Sequence, residues 1–207
     1  DKVSKELGLW SLDAPENAGG MGMPHVALVA VNEALGSTVA TYTLPPDSPN
    51  LRMLMTTVNE QQKKAYLEPY ARGETISAIG ISEPGAGSDA ASTKTRARRD
   101  GNGWVVKGQK LWCSGAKADN AILAMLTRTD PDAPKHKGLS VFLIPNDAEG
   151  LDIRKLPTLA RRATGTTEIF VDDVKLPADA LLGTENEGWK IITDHLELER
   201  VAVAAAY

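Results

Sequence analysis

From His25 to Leu35 the chain reads HVALVAVNEAL, apolar on nearly every side, with Pro24 ahead of it and Gly36 behind. Proline suits the opening of a helix and glycine its C-cap, so the pattern predicts a buried helix. Residues 60–72 predict a second helix, with Gln61, Gln62, Lys63 and Lys64 outward and Ala65, Tyr66 and Leu67 inward, disturbed at Pro69 and ended by Gly73. Between them Pro45, Pro46 and Pro49 mark a connector over 43–50.

At Thr75 the period changes to two. β-rich runs are expected at 75–82, 93–99, 104–107, 121–128, 139–144, 151–156 and 167–171, separated by Gly, Pro, Asn and Asp. Asp100-Gly101-Asn102-Gly103 predicts a hairpin whose glycines supply positive φ. Strands this short with no helix between them point to a barrel or sandwich rather than βαβ units. Near Glu187-Gly188-Trp189 helical patterning returns and runs to Tyr207 without a closing cap, so the chain is expected to stop inside a helix, as a piece of something longer.

Composition narrows the partners. A net charge of -4 argues against a nucleic-acid or anionic-membrane surface, and the one basic block, Arg96-Ala97-Arg98-Arg99, decorates a strand or turn. No apolar run is long enough to span a membrane. A single cysteine, Cys113, rules out an intrachain disulfide and makes a reducing cytoplasm the default. The three histidines, His25, His136 and His195, lack ligand spacing, so no metal site is expected.

The chemistry gathers in Gly80 to Ser92, GISEPGAGSDAAS. Gly85-Ala86-Gly87-Ser88-Asp89-Ala90 meets a loose dinucleotide pattern, but a strand, not a helix, is expected to follow it, which excludes that fold. Two readings stay open: a plain strand-to-strand turn cornered at Pro84-Gly85, and a phosphate nest. For the nest, Gly85 and Gly87 let the backbone N–H groups converge, Ser88 adds a hydroxyl, and Asp89 fixes the loop by accepting backbone N–H groups. Gly108-Gln109-Lys110-Leu111-Trp112-Cys113-Ser114-Gly115 then places an aromatic plane two residues before a hydroxyl, on one strand face. That pair suits a flat heteroaromatic ring, against the alternative of Trp112 as a core residue.

These two motifs in this order closely resemble the acyl-CoA dehydrogenase family. The likeness extends upstream through Gly8-Leu9, Pro15-Glu16-Asn17-Ala18-Gly19-Gly20 and Glu33, and downstream through Arg162-Ala163-Thr164-Gly165-Thr166-Thr167-Glu168-Ile169 and Asp172-Asp173-Val174-Lys175-Leu176-Pro177. The resemblance implies an α+β fold: an N-terminal helical region over 1–74, entered part-way; a central antiparallel β-barrel binding flavin and acyl-CoA over 75–177; and over 178–207 a linker and the first helix of a C-terminal helical bundle. It implies FAD, held by Ile79, Ile81, Ser82, Gly87 and Ser88 and by Trp112, Cys113 and Ser114, with Ser114 donating to flavin N5.

The implied reaction is α,β-dehydrogenation of an acyl-CoA to the 2-enoyl-CoA. A glutamate takes the α-proton and the β-hydrogen passes as hydride to N5. Glu199, just before Arg200, resembles the base of some branched-chain and long-chain members; the alternatives are a solvated helix carboxylate and a base beyond Tyr207. Ser88, His136, Glu197 and Arg200 are the implied contacts to the CoA thioester. An electron-transferring flavoprotein is the implied acceptor, and a homo-oligomer, dimer or tetramer, the implied assembly, in bacterial cytoplasm or an organelle matrix. A flavin oxidase or monooxygenase of the same fold, or a non-catalytic partner subunit, are the rival readings.

Overall fold

Eight strands form one sheet, in the order β6 (Leu151–Lys155), β7 (Thr166–Leu176), β3 (Gly103–Ser114), β2 (Arg96–Asp100), β4 (Ala121–Arg128), β5 (Leu139–Pro145) and β8 (Leu181–Leu182), with β1 (Ile76–Gly80) pairing on β4. The computed structural model describes the chain apart from residues 1, 8, 15, 17–19, 38–47, 160, 161, 163, 164 and 207, and apart from the side chains of 2, 5, 48, 49, 197, 198, 202, 203 and 206. Most of the expected 43–50 connector therefore lies outside the described residues. Two compact units result: Asp1–Glu74 with Ile192–Tyr207, and Thr75–Ile191.

The sheet unit holds all eight strands. The expected barrel is not closed: β6 and β8 stand at opposite ends of the order, and β8 is only two residues long. Nor is the sheet purely antiparallel, because β1 runs parallel to β4, and β2 meets β4 in parallel at Arg96 and Arg128. The stretch after Pro177 adds β8, which pairs with β5 through Val141 and Phe142. Trp104 packs edge-on to Phe142, with centroids 5.0 Å apart, inside a core that includes Met125, Ile144, Ile169 and Val174.

The β2–β3 hairpin forms as expected, with Asp100 opposite Gly103, but only Gly101 takes positive φ, at 58°. Two irregularities in the β3–β7 ladder matter more. At Lys107 two residues of β7, Asp172 and Asp173, face one of β3, and the ammonium bonds Asp172 at 2.6 Å. At Trp112 the extra residue is on β3, because Leu111 faces Glu168 and Cys113 faces Thr167.

The helical unit contains α1 (Lys2–Glu6), α2 (His25–Gly36), α3 (Ser48–Thr57) and a helical run over 60–72. The run comprises α4 (Glu60–Gln62), a π turn (Lys63–Leu67) and α5 (Glu68–Arg72). The wide turn comes just before Pro69, whose ring in a regular helix would meet the carbonyl four residues back; Glu68 N–H reaches Lys63 instead. Gln62 points inward, not outward, because it closes a capping box with Asn59, and Ala65 is exposed rather than inward. Gly73 ends the run at φ 72°, with Glu74 N–H on Pro69 and its own N–H on Tyr70, a Schellman closure.

α2 forms as patterned but is not buried. Only Leu28 is enclosed and Val26 is 77% exposed, since the described residues cover a single line of this helix. Its C-cap is Ser37, with Gly36 as the last helical residue. From Gly188 to Ala206 the chain forms α6.

Candidate functional site

β1 ends at Gly80, and the chain then turns across the end of β3. The carbonyl of Ile81 accepts from Lys110 Nζ at 3.2 Å, and that of Ser82 accepts from the Leu111 N–H at 2.8 Å. Each carbonyl thus has one donor from β3, and both residues are half-buried. Glu83 and Ala86 exchange backbone bonds of 3.0 and 3.1 Å, closing a tight loop around Pro84-Gly85. The turn reading therefore holds at Pro84-Gly85.

A buried carboxylate holds this loop. Glu83 accepts from the Thr93 hydroxyl, from the N–H groups of Lys94 and Thr95 at 2.7 and 2.9 Å, and from Lys110 Nζ at 2.9 Å. Burial opposes its ionisation, but the Lys110 charge and these donors outweigh it and hold the carboxyl at about 2. Burial pulls Lys110 downward while Glu83 opposes. The Glu83 carboxylate, 2.9 Å from Nζ, favours the charged ammonium against that burial. Lys110 is 0% exposed, and its three donors find Ile81, Glu83 and Thr93.

Beyond the bridge the loop is open. A Cβ at Gly85 or Gly87 would meet nothing within 4 Å, and neither takes positive φ, so neither packing nor a left-handed backbone requires glycine there. Ser88 is exposed. Asp89 does not accept backbone N–H groups as expected; it caps nothing and instead accepts from Lys135 Nζ and the Ser92 hydroxyl, each at 2.6 Å. With the Lys135 ammonium and the Ser92 hydroxyl in reach, those side-chain donors satisfy the carboxylate instead. Those two bonds, Lys135 first, lower its carboxyl below the ordinary range.

The same contacts bring His136 to the Ser88 loop. The Arg128 guanidinium donates to Ala91 at 2.6 Å and to Lys135 and Lys137 at 2.9 and 2.6 Å, stapling two loops together. The His136 ring then lies against Trp189, with centroids 4.9 Å apart. Trp189 was not expected here, and a tryptophan opening a helix gives no local sign of such a partner.

On β3 the bulge decides which way the ring points. Lys110 faces inward, and strict alternation would send Trp112 inward too; the extra residue resets the period, so Trp112 is turned out at φ 64° and is 60% exposed. The core-residue alternative fails on that exposure. Ser114 is exposed at the strand end, whereas Cys113 is 1% exposed, its thiol pushed up to about 11 by burial with Lys110 opposing. The Cys113 carbonyl accepts from the Thr167 hydroxyl at 2.8 Å. Ile79 is half-buried on β1.

Glu199 and Arg200 lie on α6 within the helical unit, half-buried and exposed respectively; the Glu197 side chain lies outside the described residues. Among the described residues no group of His, Cys, Asp and Glu has the arrangement of a metal site.

Trp112 thus stands outward on β3, two residues before the exposed Ser114. The acyl-CoA dehydrogenase N-terminal domain matches residues 2–74 and the acyl-CoA dehydrogenase middle domain matches residues 78–174. The chain belongs to the acyl-CoA dehydrogenase family. It is 38% identical over 195 residues to acyl-CoA dehydrogenase FadE29 of Mycobacterium tuberculosis, covering 93% of this chain and 49% of that protein. It superposes on an acyl-CoA dehydrogenase from Geobacillus kaustophilus with a TM-score of 0.89 at 32% identity, covering 99% of this chain and 55% of the other. A glutaryl-CoA dehydrogenase from Mycobacterium smegmatis, solved in complex with FADH2, matches at 27% identity and a TM-score of 0.82, covering 99% and 53%. The chain spans about half the length of the curated relatives it matches.

Proposed function

We propose that this chain carries the flavin wall and part of the thioester site of an FAD-dependent acyl-CoA dehydrogenase, which converts an acyl-CoA to its 2-enoyl-CoA. The observation that carries the reading is Trp112, a large aromatic held outward in a left-handed conformation two residues from an exposed hydroxyl. A bulky residue at positive φ on a strand is costly, and such strain collects at functional sites. FAD, when bound, supplies the acceptor for the hydride that leaves the β-carbon.

The remaining roles belong to the chain. Trp112 offers its ring face to the isoalloxazine and keeps water from it. Ser114 donates its hydroxyl to N5. Ile79, Ile81 and Ser82 bind through N–H groups and the Ser82 hydroxyl, and Cys113 through its backbone. Gly87 and Ser88 serve the pyrophosphate, with Ser88 shared by the CoA portion, beside which His136 stands. Arg200 and Glu197 hold the CoA portion from the helical unit, and Glu199 takes the α-proton. The whole protein passes its electrons to an electron-transferring flavoprotein and acts as a homo-oligomer, dimer or tetramer, in bacterial cytoplasm or an organelle matrix. The boundaries 1–74, 75–177 and 178–207 are proposed as its domain limits. Among the described residues no helix is long and apolar enough to cross a membrane.

The test is anaerobic mixing of the full-length yellow protein with a panel of acyl-CoA thioesters. Loss of the flavin band near one thioester class is expected, with slow reoxidation in air; a colourless protein that takes up no FAD would end the reading. In the same assay Glu199→Gln should bind thioester yet reduce its flavin orders of magnitude more slowly. A wild-type rate in that variant would move the base beyond Tyr207.

A further inference from the structure

The proposed reaction makes no use of Lys110 or Glu83, yet they form the most enclosed ion pair among the described residues. A buried pair is costly to desolvate and is seldom a net source of stability compared with apolar residues of similar size. Its placement gives it another use. Lys110 sits on β3 two residues before Trp112 and four before Ser114, and its ammonium grips the Ile81 carbonyl at 3.2 Å. Glu83, two residues beyond Ile81, ties in the Lys94 and Thr95 backbone, and the Thr95 hydroxyl lies 3.2 Å from the Gln109 carbonyl, back on β3. Gly108 allows that closure, since a Cβ there would come within 2.6 Å of Thr95 Cα. One hidden network thus fixes the 81–83 segment against the strand that carries Trp112 and Ser114.

We propose that Lys110 is a positioning residue for the cofactor: by clamping the Ile81 carbonyl while paired with Glu83, it sets the spacing between the Ile81–Ser82 backbone and the Trp112–Ser114 edge, so that both address one flavin ring. This rests on the flavin reading above. A β1-to-β3 crossing with only the Leu111-to-Ser82 backbone bond would leave the loop free to pivot; the second bond, from a charged donor, removes that freedom.

The test separates positioning from stability. In the full-length protein, Lys110→Met strands Glu83 and should lower both thermal stability and FAD affinity, the latter by about tenfold or more, as loss of a charged hydrogen bond implies. Lys110→Met combined with Glu83→Gln removes the stranded charge and should recover most of the thermal stability. FAD affinity should stay low, and the bound flavin's visible absorbance and circular dichroism should stay shifted, because Ile81 still lacks its donor. A double variant with wild-type FAD affinity and a wild-type flavin spectrum would overturn the proposal. If neither variant folds, Thr93→Val keeps both charges but removes one partner of the ammonium: a several-fold loss of FAD affinity restored by Thr93→Ser supports positioning, and no change in Thr93→Val overturns it. Wild-type protein that binds no FAD overturns the flavin reading first, before any variant is compared.

Discussion

The two faces of the same short segments behave as opposites. Inward, Glu83, Thr93, Thr95 and Lys110 exchange hydrogen bonds at every polar atom the network offers, and Cys113 is sealed beside them. Outward, Gly85, Gly87 and Ser88 leave open space, and Trp112 and Ser114 project from β3. One inserted residue at the bulge turns Trp112 outward from the strand that carries Lys110 inward. Outer-face substitutions should therefore leave stability in place, whereas inner-face ones should lower it.

The largest effect should come from the hidden face. Lys110→Ala leaves a buried carboxylate without its counter-ion and should destabilise the folded protein by about 3–5 kcal/mol in denaturant titration. A loss well below that would mean that the two faces are less distinct than their burial indicates. The same charge can be read through pH. The Glu83 carboxyl is held at about 2 against an ordinary 4.5, a depressed value, so the stability it confers is complete above about 4.5 and is lost as pH falls toward 2. Thermal melts across that window should show a falling limb, and Glu83→Gln should flatten it; an unchanged limb would place acid sensitivity elsewhere.

Smaller effects belong to the outer face. Ser88→Ala should leave the melting temperature in place while weakening FAD and thioester binding, each by about 1.5–3 kcal/mol if both acceptors are charged. Equal dissociation constants before and after would remove Ser88 from both sites. Trp112→Gly should make the apoprotein no less stable, and more stable by about 1 kcal/mol if the left-handed cost is relieved, while FAD binding weakens. A clear stability loss instead would return Trp112 to the core. Least of all, Lys135→Ala removes an exposed partner of Asp89 and should not measurably change stability. A sizeable drop would show that the loop junction at Arg128 depends on that pair.

Local pattern determined a good deal by itself. Alternating apolar runs located β4 at 121–128 without error and β5 and β6 to within a residue, because strand period and turn residues are local properties. The residues GISEPGAGSD and GQKLWCS identified the family, since their chemistry is carried by side chains and glycines adjacent in the chain. What lay beyond local pattern was partnership. Nothing within reach of Glu83 in sequence announces Lys110, which is 27 residues away, and nothing around Lys110 announces that it is buried, as lysines seldom are. The apolar stretch of α2 said that a face seeks cover, not whether this chain supplies it. The outward turn of Trp112 depends on a register slip against β7, some 55 residues later, and an open sheet rather than a barrel depends on which strand edges meet. Propensity and periodicity act over a few residues, whereas charge pairing, register and closure are settled only when distant segments compete for the same hydrogen bonds in the folded chain.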